Sequence, residues 1–190
     1  ELKDAMAQLG INDFRFLGAP NKKWRDSGMM GTTQNERGDV FWQADLDEAS
    51  HELVKIILEI KPQVLITYDE FGGYGHPDHI KAHRVAMRAT ELAAEQGCQI
   101  SKIYWNTMPR SVIQMGIEKM KEVGSDFFGA ESADDLPFAK PDELVTTVVN
   151  APEYVPQKLE AMKAHATQIS VDGPFFALSN NLGLSVWGDE

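Results

Sequence analysis

The feature that most constrains this chain is one handover from strand to helix. Val64-Leu65-Ile66-Thr67 is a continuous apolar run, the pattern of a strand buried on both faces of a parallel sheet. A glycine-rich loop, Asp69 to Gly75, then leads into Pro77, which suits the first helical position because no N–H is needed there. Ala82, Val85, Ala86, Ala89 and Ala93 recur along one helical face until Gly97 stops the helix. Strand, glycine loop and helix in this order imply an α/β layered fold, in which ligands bind at the carboxyl ends of the strands.

The rest of the chain extends the pattern. Ala5, Leu9 and Ile11 end an amphipathic helix at Gly10, and Phe14 to Gly18 reads as a short strand. Ala19 to Val40, polar and carrying Gly28, Gly31 and Gly38, reads as a long loop, a feature that compact domains keep mainly for function. Asp45 and Glu48 have capping-box spacing, Leu53, Ile56, Ile57 and Ile60 follow at helical period, and Pro62 ends the element. Lys102 to Trp105 reads as a strand and Val112 to Val123 as a helix with Val112, Met115, Ile117 and Met120 inward. An acidic loop, Ser125 to Asp142, is followed by a strand over Leu144 to Val149 and a helix over Val155 to Ile169. The sheet is therefore expected to be mostly parallel, and the 190 residues fit one domain with a smaller C-terminal part from about residue 111.

Composition narrows the function classes. Apolar residues at 43% and charged residues at 25% exclude a wholly disordered, collagen-like or disulfide-scaffold chain. A net charge of −11 without a Lys/Arg cluster argues against nucleic acid as a partner. No apolar run reaches membrane-spanning length, and Glu1 to Asp4 lacks a signal-peptide pattern, so no membrane partner is expected. The single Cys98 reads as a small buried apolar residue and favours a reducing, cytoplasmic location.

Chemistry concentrates in Tyr68 to His79, where histidines, carboxylates and a tyrosine meet a helix N-terminus. The backbone N–H groups and dipole there disfavour protonated imidazole, which suits a metal ligand. His79 and His83 lie four apart on one helical face, a spacing compatible with a shared cation. The competing reading is a turn with capping side chains. The doubled histidine after Gly72-Gly73 favours function, whereas His83 alone reads as a satisfied histidine or one that supports a ligand from behind, and Met29-Met30 and Phe127-Phe128 read as core. Spacing by itself leads to a metal hydrolase of α/β type and no further, since a catalytic zinc normally has three protein ligands and an open position.

Several segments carry a more specific resemblance: Trp24-Arg25-Asp26-Ser27-Gly28-Met29, Thr67-Tyr68-Asp69, and Gly72-Gly73-Tyr74-Gly75-His76-Pro77-Asp78-His79. Ala164 to Gln168 and Ala177-Leu178-Ser179-Asn180-Asn181-Leu182 add to it. Together they resemble the LmbE/PIG-L-like zinc deacetylases, and within them the actinobacterial mycothiol-pathway branch acting on an N-acetylglucosaminyl-inositol. The resemblance implies a Rossmann-like, mostly parallel sheet flanked by helices, one Zn²⁺, and hydrolysis of an N-acetyl amide on a small amino-sugar inositol substrate. It implies His79 as a zinc ligand, and His76 as general acid or electrostatic stabiliser of the tetrahedral intermediate. Tyr74 would polarise the scissile carbonyl and Asp78 would orient His76. Asp26 would contact the sugar, with Met29 beside it. The family's other signature, a His-Pro-Asp-Asp-Glu segment supplying a zinc-binding His and Asp and the general base, has no match here. A truncated chain, missing its N-terminal strands and inactive alone, is therefore expected. Alternatives are the paralogous mycothiol S-conjugate amidase and a non-catalytic sugar-binding module.

Overall fold

Helix α2 (Leu46–Ile60) shows how the chain builds its core. Asp45 caps it by accepting the Glu48 backbone N–H at 2.8 Å, and Lys61 ends it in the left-handed conformation (φ 52°) just before Pro62. Its buried face, Ala49, Val54 and Ile57, packs on helix α4 (Pro77–Glu95), which contributes Val85, Ala89, Leu92 and Ala93. Full burial of side chains such as Val54 and Ile57 contributes about 1.5–3 kcal/mol each.

The computed structural model describes residues 1–127, 129–173 and 176. These fall into two compact units, one formed by residues 15–107 and the other by 1–14 together with 108 onwards. In the first, strand β1 (Val64–Tyr68) pairs in parallel with β2 (Lys102–Asn106), with Leu65 opposite Ile103 and Thr67 opposite Trp105. Leu65 and Ile103 pack on the α2/α4 core. Between β1 and α4 lies a distorted helical turn, α3 (Gly72–Gly75).

The second unit contains α1 (Leu2–Gln8), α5 (Arg110–Glu122) and α6 (Val155–Lys163), with a minimal parallel pair, β3 (Met108–Pro109) and β4 (Ala139–Lys140). Helix α1 packs on α6, and Glu1 accepts both the N–H and the hydroxyl of Thr167, each at 2.8 Å. The architecture is thus α/β, with short parallel sheets flanked by helices. Among the described residues no helix is long and apolar enough to cross a membrane.

Several sequence expectations need correction. Strand β1 is not buried on both faces: Val64 and Ile66 are 47% and 73% exposed, because α2 and α4 cover only the face carrying Leu65. Phe14 to Gly18 and Leu144 to Val149 form no strand; Phe16, Leu144, Val148 and Val149 are exposed, so their β-propensity is not matched by burial. The inner face of α5 is Ile113, Ile117 and Met120, while Val112 and Met115 point outward. Helix α6 ends at Lys163 rather than Ile169. Met29 and Met30 are half-exposed and not core. Residues 177–182, and Phe128 of the paired phenylalanines, lie outside the described residues.

Candidate functional site

The site is built where β1 ends and α4 begins, within residues 15–107. After Tyr68 the chain turns at Asp69, which is buried; its carbonyl accepts the Gly72 N–H and its Oδ1 the Gly73 N–H, both at 2.9 Å. Gly72 has φ +71°, and a Cβ there would stand 2.6 Å from the Ile80 nitrogen and 2.9 Å from the His79 Cβ. Only glycine lets the loop lie this close to the start of α4.

That closeness positions His79. Its Nδ1 is 3.2 Å from the Gly72 carbonyl, which can only accept, so Nδ1 carries the proton. Nε2 is then the lone-pair nitrogen and makes no hydrogen bond among the described residues. A ring fixed through one N–H by a backbone carbonyl is the usual preparation of an imidazole for a metal. The ring stacks on Tyr68, with centroids 4.0 Å apart. Burial pulls the His79 pKa below its ordinary value, opposed by the bond to Gly72. His79 stays neutral and able to bind a cation.

His76 is prepared differently. It is the N-cap of α4, and its Nδ1 accepts the Asp78 backbone N–H at 3.2 Å. In the neutral ring the proton therefore sits on Nε2, which faces Asp26 with 3.9 Å to Oδ2. The two histidine rings lie 4.9 Å apart, one offering a lone pair and the other a donor. Tyr74, half-exposed, stands steeply inclined to both rings, its centroid 6.1 Å from His76 and 5.1 Å from His79. Burial, then the negative charge of Asp26, raises its pKa, so the phenol remains a donor.

Asp26 comes from the long loop, which holds one 3₁₀ turn (Thr33–Glu36) and a parallel bridge between Arg25 and Val40, and a second 3₁₀ turn (Phe41–Gln43) follows it. Its Oδ1 accepts the Gly28 N–H at 2.7 Å, and its side chain is 76% exposed. Met29 stands three residues further on, 49% exposed. The Asp78 carboxylate is held by Ser27: Oδ2 accepts the Ser27 N–H at 3.0 Å and Oδ1 accepts its hydroxyl. Asp26, His76 and Asp78 offer ligand atoms within 4.8 Å of one another, although both Asp78 oxygens are already bonded. His83 donates from Nδ1 to the Tyr68 carbonyl at 2.9 Å and meets the Trp105 ring edge-on, a satisfied histidine as its isolation suggests.

Reading the sequence missed Ser27, Tyr68, Asp69 and Gly72 as supports of the site. Asp69 and Gly72 lie inside the motif itself, so position could have flagged them, whereas the contact of Ser27 with Asp78 spans 51 positions. Asn35, buried and bonded to the Ser27 carbonyl through Nδ2, carries no sequence signal.

A glycine-held imidazole, a donor histidine and a loop carboxylate meet at the end of a parallel strand, and the chain belongs to the PIG-L family. The family described as GlcNAc-PI de-N-acetylase matches residues 1–90. A Geodermatophilus obscurus protein named 1D-myo-inositol 2-acetamido-2-deoxy-alpha-D-glucopyranoside deacetylase is 54% identical over all of this chain and 68% of its own length. Proteins of the same name from Thermobispora bispora, and of that name with the suffix 1 from Catenulispora acidiphila, are each 53% identical over all of this chain. The chain spans 65% and 62% of those two relatives, about two thirds of such a protein.

Proposed function

We propose that this chain forms the substrate-facing part of a zinc-dependent N-deacetylase. Its substrate is 2-acetamido-2-deoxy-glucopyranosyl-inositol, and its products are acetate and the free amine. The observation that carries this reading is the contrast between the two histidines: His79 gives its Nδ1 proton to the Gly72 carbonyl and keeps the lone pair of Nε2, while His76 accepts the Asp78 N–H at Nδ1 and carries its proton on Nε2. The relatives' shared name, over the whole of this chain, supports the substrate. A Rossmann-like LmbE fold with the sheet flanked by helices, spanning 1–190 as part of one domain, belongs to the same reading, as does a reducing, cytoplasmic setting for the lone Cys98.

His79, a neutral imidazole oriented by a backbone carbonyl, offers one donor suited to zinc. Bound there, the ion would lower the pKa of a water and polarise the amide carbonyl. The chain's own residues do the rest. Asp26 accepts hydrogen bonds from sugar hydroxyls, and the exposed Met29 gives the loop an apolar contact. Tyr74, kept protonated, donates to the carbonyl oxygen as negative charge develops on it. His76 donates from Nε2 to the same region; its Nδ1 faces an N–H donor, which favours the electrostatic role over delivery of a proton from a doubly protonated ring. Asp78 fixes the start of α4, meeting His76 through its backbone N–H and the loop through its carboxylate.

The test is acetate release by the full-length protein from the N-acetylglucosaminyl-inositol, with a mycothiol S-conjugate as competitor substrate. Faster turnover of the former supports the reading, and preference for the latter replaces it with the amidase.

A further inference from the structure

The loop that carries Asp26 is fastened to the rest of the site by one buried residue. Ser27 is fully buried, and all its polar atoms are used. Its N–H and hydroxyl both go to the Asp78 carboxylate, its Oγ accepts the Trp42 N–H at 2.9 Å, and its carbonyl accepts Asn35 Nδ2. Asn35 closes the loop on itself, accepting the Gly31 N–H at 2.8 Å through Oδ1 and Gln43 Nε2 at 2.7 Å through its carbonyl. Asp78 stands in the first turn of α4, where the helix N-terminus favours its negative charge, so the anchor is itself stabilised.

Asp26 has little else to place it. Its side chain is mostly exposed, its intraloop bond is to Gly28, and it faces His76 only at 3.9 Å. Its position is therefore inherited from the residue beside it. We propose that Ser27 is a positioning residue for sugar recognition: by locking loop 19–40 onto Asp78 it sets the Asp26 carboxylate opposite His76 Nε2. The work of the Asp78 carboxylate is accordingly to anchor the loop, and its backbone N–H is what meets the His76 ring. The lock stands on geometry alone, and only its consequence for the sugar rests on the deacetylase reading.

The experiment uses the full-length protein and two readouts. Ser27→Ala removes the hydroxyl that bridges Asp78 and Trp42. Hydrogen exchange without substrate should speed up at the Gly28 and Gly31 amides while the α4 amides keep wild-type protection, and Asp78→Asn should do the same. With the N-acetylglucosaminyl-inositol, KM should rise about 10-fold or more, the loss of one charge-assisted hydrogen bond, with bound zinc unchanged. Combining Ser27→Ala with Asp26→Ala should raise KM no further than Asp26→Ala alone, because Ser27 acts through Asp26. If the alanine variant does not fold, Ser27→Cys, a poor donor of similar shape, takes its place. Wild-type exchange in the loop, or fully additive KM effects, would overturn the proposal. A wild-type protein inert toward the amino sugar would sink the deacetylase reading and leave the exchange test intact.

Discussion

The imidazole of His79 lies flat against the phenol ring of Tyr68, with the planes inclined by 6° and the centroids 4.0 Å apart. Tyr68 is the last residue of β1, and its own carbonyl takes the Nδ1 proton of His83 one helical turn further on. The end of the strand thus grips α4 twice, by a ring stack and by a hydrogen bond. Together with the Gly72 carbonyl, this leaves the His79 ring little freedom. A side chain held so firmly loses little entropy when it binds a partner.

The first prediction follows from the burial of that ring. The folded protein holds the His79 pKa below its ordinary value, so below about pH 6.5 the unfolded chain binds more protons than the folded one. This contribution to stability is complete above that pH and is lost as pH falls through the lowered value. Melting temperatures of the metal-free full-length protein between pH 8 and 5 should fall more steeply for wild type than for His79→Gln. Parallel curves would refute the linkage.

The second prediction concerns the close approach of the loop. Gly72→Ala places a Cβ against the Ile80 nitrogen at a positive φ, whereas Gly97→Ala has the same kind of φ, +81°, with nothing within 4 Å. Both carry backbone strain of about 1–3 kcal/mol, and only Gly72→Ala adds the clash. Denaturant titration should show the larger loss for Gly72→Ala. Zinc affinity should fall in that variant alone, since the Gly72 carbonyl holds His79. Equal destabilisation of the two variants would contradict the close-packing argument.

Much of this site was legible before any coordinates. The strand, the glycine loop and Pro77 as first helical residue are all local signals, and the residues of the motif do meet at the head of α4. Asp45 caps its helix because capping chemistry acts within one turn. Where the reading failed, the missing information was tertiary. Ile66 looks like a core residue by composition, yet its exposure depends on which layers cover β1. Leu144 to Val149 has the residues of a strand, yet Leu144, Val148 and Val149 stay exposed and the segment forms none. Ser27 illustrates the limit most clearly: it bonds Asp78 across 51 positions, and no local pattern announces such a contact.

The third prediction separates sugar binding from metal binding. Among the described residues Asp26 is exposed and hydrogen-bonded only within its loop, apart from its approach to His76. Asp26→Ala in the full-length protein should raise KM for the amino-sugar substrate about tenfold or more, while zinc content stays at the wild-type level. Loss of zinc with the substitution would move Asp26 from the substrate to the metal, alongside His76 and Asp78 in the cluster they form.

The central claim is that His79 and His76, with opposite nitrogens protonated, divide metal binding and donation between them. The most direct measurement is bound zinc and kcat in the full-length His79→Ala and His76→Ala variants, side by side. His79→Ala should lose tightly bound zinc and nearly all activity. His76→Ala should keep zinc at wild-type occupancy while kcat falls by about 10² to 10³, the usual cost of removing one preorganised donor. Equal zinc loss in the two variants, or zinc retained in His79→Ala, would contradict the account.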